Sequence, residues 1–185
     1  MKIFLYLMLL ITAANCGSSK APETENKNIP KETVSQEAQN DLLIGEVELE
    51  DFQQPPFSTW FDPMYKSYAP DEAALKTIQE NINDYEIVMF MGTWCADSQR
   101  EVPKFYKLLE LSDYDLSRLQ VKAVSEDKTL PNDGQKEYDV IYVPTIIFLK
   151  DGEEVGRFVE YSNEELEEDI AKIVSGQEYM HPYQQ

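Results

Sequence analysis

The chain holds two cysteines, Cys16 and Cys95, and one histidine, His181. Cys95 has the most informative surroundings. It sits in Thr93-Trp94-Cys95-Ala96-Asp97-Ser98, just after an apolar run, Val88-Met89-Phe90-Met91, that stops at Gly92. Polar residues and good helix formers follow, so the cysteine falls at the start of a helix. The unpaired N–H groups there favour negative charge, the setting in which a cysteine becomes a thiolate and a nucleophile. Asp97 opposes this by charge and Arg100 offsets Asp97 in part. Such a thiolate attacks a disulfide and holds one half of it as a mixed disulfide. The other possibility for Cys95 is an inert, buried thiol that only packs.

Ser98 lies one helical turn on. Its hydroxyl is placed to hydrogen-bond the Cys95 sulfur but has no thiol with which to displace a bound partner. Release of an adduct therefore needs a second thiol from outside, either the substrate's own or a small molecule such as glutathione. Alternatively Ser98 is a helix-capping or surface residue with no part in the chemistry. His181 lies in a polar tail, away from the Cys95 segment, and is expected to be exposed and uninvolved. No group of His or Cys has metal-ligand spacing, and nothing in the sequence asks for a metal or a cofactor.

The elements that position Cys95 are legible as patterns. Asp71 and Glu72 after Pro70 open a helix whose apolar stripe is Ala74, Leu75, Ile78 and Ile82. Residues 86–91 lack polar alternation, as a central strand covered on both faces does. Residues 95–111 read as the thiol-bearing helix, with Val102, Phe105, Tyr106, Leu108 and Leu109 inward and Pro103 as a kink. Strands follow at 119–124, 145–149 and 155–161, the last two joined by a Lys150-Asp151-Gly152-Glu153 turn. A short helix is expected at 135–138. Ser162 with Glu165 reads as a capping box for a last helix built on Leu166, Ile170, Ile173 and Val174 and ended by Gly176.

These residues carry a family resemblance. Thr93-Trp94-Cys95-Ala96-Asp97-Ser98 resembles the Trp-Cys-x-x-Cys site of thioredoxin-like proteins, with Ser98 in place of the second cysteine. Pro103, eight residues after Cys95, resembles the proline that kinks the active-site helix in that family, and Val143-Pro144-Thr145 resembles its cis-proline loop. The resemblance runs over roughly residues 70 to 175. It implies an α/β fold, a thioredoxin-like three-layer sandwich with a mixed central sheet and helices on both faces, preceded by an N-terminal extension. It also implies a cis bond before Pro144 and a substrate groove formed by Trp94, Val143, Pro144 and Thr145, in which Val143 offers its backbone N–H and C=O to an extended segment. The chain departs from the family in two further places. Met89 stands where a buried Asp assists the second cysteine, and Met91 where an aromatic residue is usual. Both changes make the site more apolar.

The remainder of the chain divides by composition. Residues 1–15 carry Lys2 and an apolar run from Ile3 to Ile11, too short for the roughly 20 residues a membrane span needs, and read as a signal peptide. Thr12-Ala13-Ala14-Asn15-Cys16 resembles a bacterial lipobox, which implies lipidation of Cys16; the alternative is an ordinary secretory signal with a stray cysteine. Residues 16–41 are polar and read as a flexible tether. In 42–69, Val47, Leu49 and Phe52 alternating with Glu46, Glu48 and Glu50 suggest an edge strand. Pro55-Pro56 breaks it, and Phe57, Trp60, Phe61, Tyr65 and Tyr68 fit one helical face. That aromatic face is either a substrate wall near the thiol or a flap packed on the domain's flank. The domain proper is 70–176, and 177–185 form a tail.

Sixteen basic against 35 acidic residues leave a net charge of −19, which repels nucleic acid. The expected protein is exported, lipid-anchored to a bacterial membrane and facing the periplasm. It exchanges disulfides with protein or small-molecule thiols through Cys95 alone, in isomerase- or reductase-like fashion. The alternative is a redox-inactive binding or scaffold lipoprotein on the same fold.

Overall fold

The computed structural model describes residues 42–184. The signal segment, Cys16 and the whole tether lie outside the described residues. In chain order the elements are β1 (Gly45–Glu46), α1 (Leu49–Phe52), α2 (Ser58–Ser67), α3 (Glu72–Asn81), β2 (Glu86–Met91), α4 (Ala96–Leu111), β3 (Leu119–Ala123), β4 (Thr145–Lys150), β5 (Glu153–Val159) and α5 (Leu166–Val174). Single 3-10 turns lie at Ile82–Asp84, Leu116–Arg118 and Gly134–Tyr138. The five strands form one sheet in the order β1-β3-β2-β4-β5. β2 runs parallel to β3, and the other pairs are antiparallel.

β2 is central and buried on both faces, as its unbroken apolar run requires. Its side chains alternate between two cores. Ile87, Met89 and Met91 join Ile146, Phe148 and Phe158 against the apolar sides of α3, α4 and α5. Val88 and Phe90 join Ile147, Val124, Leu130, Val140, Val143 and Cys95 on the opposite face. That second layer is thin: it is the 124–143 connection, whose helical part is the 3-10 turn at Gly134–Tyr138. The Asp151-Gly152 turn takes φ of 54° and 82°, the pair of positive values that a two-residue hairpin prefers.

The segment before Pro70 differs from the strand expected for it. Only Gly45–Glu46 pair with β3, and Leu49–Phe52 is a helix closed by a capping box between Glu48 and Asp51. Two reciprocal side-chain caps satisfy the helix start, and this local chemistry outweighs the alternation of apolar and acidic residues. The turn buries Phe52, which stacks on Phe61 with centroids 5.5 Å apart, and both meet Tyr106 of α4. The aromatic face of α2 therefore packs the flank of the thiol-bearing helix. Glu167 of α5 ties this flank down, accepting from the Tyr68 hydroxyl at 2.5 Å and from Asp71 N–H at 3.0 Å.

Helix α5 is capped by Glu165 with Glu168, not by the Ser162–Glu165 pair; the Ser162 hydroxyl donates to Glu164 O. Inside the helix, Asp169 is fully buried and anchors the tail. It accepts from Asn163 N–H at 2.8 Å and from the Tyr179 hydroxyl at 3.1 Å, and its other oxygen has no hydrogen-bond partner. Burial pushes its carboxyl up, only partly countered by those two donors. A raised carboxyl favours folding below its unfolded value and loses that contribution as pH rises through the folded value. Asp169→Asn is accordingly expected to melt about 2–4 °C above the native protein at pH 8, with the gap closing toward pH 4. A gap independent of pH in thermal melts would disprove the assignment.

Candidate functional site

The turn between β2 and α4 presents the thiol. Gly92 ends the strand, Cys95 is the N-cap of α4, and its N–H donates to Gly92 O at 3.0 Å. The helix then starts at Ala96, one residue later than the pattern suggests, which leaves Cys95 extended at φ −86° and ψ 123°. Its Sγ lies 3.2 Å from Val143 O, to which it donates. This bond exists only while the sulfur keeps its proton; an ionised sulfur would face the negative end of the carbonyl dipole. Cys95 is 9% exposed.

The Val143–Pro144 peptide is cis, as the resemblance implies. Thr145 closes the loop, donating its hydroxyl to Tyr142 O at 2.7 Å, and its backbone pairs with Phe90 and Val159. Val143 and Thr145 are both buried. The Val143 carbonyl, expected to face a substrate backbone, is taken by the thiol in this state.

Trp94 folds back over its own turn. The indole N–H donates to Val124 O at 3.1 Å, and the ring lies so close to Gly92 that a Cβ there would sit 2.6 Å from Nε1. Ser98 is fully buried, and its hydroxyl accepts from Gly92 N–H at 3.1 Å. The Ser98 and Cys95 side chains thus engage separate backbone groups and not each other. Asp97 and Arg100 pair at 2.7 Å, and Arg100 also reaches the buried Glu101 at 2.5 Å. The charge of Asp97 beside the thiol is compensated locally by that guanidinium.

The structure therefore brings Cys95, Trp94, Ser98, Val143, Pro144 and Thr145 to one end of the sheet. His181 stays out of the cluster; its Nδ1 accepts from Tyr183 N–H within the tail. Burial and the nearby Arg157 hold His181 below the usual imidazole value. Among the described residues, no group of three His, Cys, Asp or Glu has an arrangement that could hold a metal, and no helix is long and apolar enough to cross a membrane. Sequence patterns missed Tyr142, Glu160, Tyr161 and Tyr183, which gather beside the proline loop. The one available signal was the position of Tyr142 directly before Val143-Pro144.

Comparison with known proteins bears on the fold and the family. Two Arabidopsis thaliana proteins are similar: Thioredoxin H2, 28% identical over 92 residues, which are 49% of this chain, and Thioredoxin H9, 29% identical over 99 residues, which are 52% of it. The chain spans 64% and 66% of their lengths, a little under two thirds. A solved Pseudomonas aeruginosa protein of unknown function shares the fold, with a TM-score of 0.53 at 16% identity over 72% of this chain and 92% of that one. The thioredoxin family model matches residues 70–172, from the approach to α3 through β2, the thiol turn and the proline loop into α5. With that match over more than half its length, the chain belongs to the thioredoxin family.

Proposed function

We propose that this protein exchanges thiols and disulfides through Cys95 alone. The observation that carries the reading is the sulfur at the N-cap of α4, held against Val143 O beside a cis proline. In the forward step the Cys95 thiolate attacks one sulfur of a disulfide. A bond from Cys95 Sγ forms, the old S–S bond breaks, and the departing sulfur leaves as a thiolate that takes a proton from water. Ser98 cannot repeat that attack on the adduct, so an external thiol completes the cycle. The substrates are protein or small-molecule disulfides.

Incubation of the native protein with glutathione disulfide, followed by intact-mass measurement, is expected to show one added glutathione on Cys95 that persists until a thiol is supplied. Cys95→Ser should show none. If the folded native protein also stays unmodified while the unfolded chain reacts, the protein is a redox-inactive scaffold. The 9% exposure of Cys95 is the observation favouring that second reading.

The proposal extends to location: the protein is exported and lipid-anchored through Cys16 to a bacterial membrane, facing the periplasm. The support is the apolar run 3–11 and the small residues before Cys16. Cells fed a labelled fatty acid should label the native protein and not Cys16→Ser. Equal labelling of both would refute the anchor.

A further inference from the structure

The chain's own tail packs on the residue that precedes the thiol's hydrogen-bond partner. Tyr142 precedes Val143, whose carbonyl accepts from Cys95. The Tyr183 ring stacks on the Tyr142 ring with centroids 3.9 Å apart and planes 11° from parallel. Tyr161 meets Tyr183 edge-on at 6.1 Å, and the Tyr183 hydroxyl donates to the Glu160 carboxylate. Glu160 in turn donates its N–H to Pro144 O at 2.7 Å. The groups around Tyr183 thus come from two segments, one leading into the thiol's hydrogen-bond partner and the other bonded to the proline after it.

Upstream the tail is fixed by Tyr179 on Asp169 and by Asn163 Nδ2, which donates to Met180 O at 2.9 Å. Beyond Met180 it has a tight turn, with Gln184 N–H donating to His181 O, and the contacts of Tyr183. Tyr183 is 40% exposed and Tyr161 45%, so this stack adds little to the core.

We propose that Tyr142, Tyr161 and Glu160 form a subsite for a tyrosine side chain of the disulfide substrate, and that Tyr183 fills it in cis. This rests on exchange at Cys95. The chemistry selects a phenol: two aromatic rings accept a ring by stacking and edge contact, and a carboxylate accepts a hydrogen bond from the hydroxyl. A phenylalanine would leave the acid unpaired. Substrate tyrosine and the tail compete for one place, so the free protein discriminates weakly until Tyr183 is removed.

The test uses full-length protein in detergent and two sets of cysteine peptides, each peptide joined by a disulfide to thionitrobenzoate. One peptide set carries tyrosine two to four residues from its cysteine; the control carries serine there. Attack forms the Cys95–peptide disulfide, breaks the original S–S bond and releases coloured thionitrobenzoate, with intact mass confirming which half is retained. Tyr183→Ala is expected to raise the rate for a tyrosine peptide about two- to tenfold more than for its serine control. Tyr183→Phe, which keeps the stack and loses the Glu160 bond, should fall between. Adding Tyr142→Ala should erase the preference. If both peptides release colour and Tyr183→Ala changes them equally, the subsite is refuted and exchange stands. If neither releases colour, exchange at Cys95 fails and the subsite fails with it.

Discussion

A Ser98→Cys protein is expected to form an internal disulfide and so to release a bound partner unaided, where the native protein holds its adduct until an external thiol is supplied. Ser98 is fully buried one turn after Cys95, on the same helix start, and cysteine differs from serine there by one atom. The new thiol attacks the Cys95 adduct from a fixed position. Oriented groups of this kind act at effective concentrations far above those of a free thiol, so adduct release should be at least about a hundredfold faster than with a thiol at roughly millimolar level. The substitution has a structural cost. The Ser98 hydroxyl accepts from Gly92 N–H at 3.1 Å, and sulfur is a weak acceptor. A poorly satisfied buried donor costs about 1–3 kcal/mol, so the reduced variant should be less stable than the native protein. Stopped-flow release of a labelled partner, with alkylation to count free thiols, measures both effects. If the variant holds its adduct as long as the native protein does, the absent second thiol is not what stops the native cycle.

How much of this was visible beforehand depended on the kind of signal. The thiol turn was legible because a buried strand, a glycine and a helix start are all local patterns, and Val143-Pro144-Thr145 added a second marker 48 residues on from Cys95. The mixed sheet followed from the order of the same elements and the resemblance they carry. Residues 47–52 misled because alternation of apolar and acidic residues looks the same in a strand and in a single helical turn. The Glu48–Asp51 capping box, which needs only two side chains, decided between them. The cap of α5 moved for a like reason, with Glu165 and Glu168 supplying the reciprocal bonds. The tail was illegible in principle: Tyr183 reaches Tyr142 by one ring stack, and a single long-range contact leaves no periodicity to read. Inside the site, residue types were visible and their partners were not. No pattern states that the Trp94 ring turns back onto Gly92, or that Ser98 serves a backbone N–H.

That backward turn of Trp94 makes Gly92 the position where the smallest change has the largest structural effect. Gly92→Ala places a Cβ 2.6 Å from Nε1 and 2.7 Å from Cε2 of the indole, and 3.1 Å from Cζ2. Real Cβ atoms essentially never come as close to another heavy atom as the first two of these distances. Nor is the ring free to give: it is a rigid bicycle whose N–H is held by Val124 O. Either the ring swings out and forfeits that bond, or the turn carrying Cys95 shifts. Overpacking of this sort costs about 1–3 kcal/mol, and the lost hydrogen bond adds about 1 kcal/mol. A total of about 2–4 kcal/mol is expected in denaturant melts, together with a faster reaction of Cys95 as its cover loosens. The assignment of the whole effect to one contact is testable by a double-mutant cycle. Trp94→Ala removes the opposing ring, so on that background Gly92→Ala should cost less than about 1 kcal/mol, which is within the range of an ordinary Gly-to-Ala change. If the cost is unchanged without the indole, the clash is with the backbone of the turn, and Trp94 is a neighbour of Gly92 without being the reason for it.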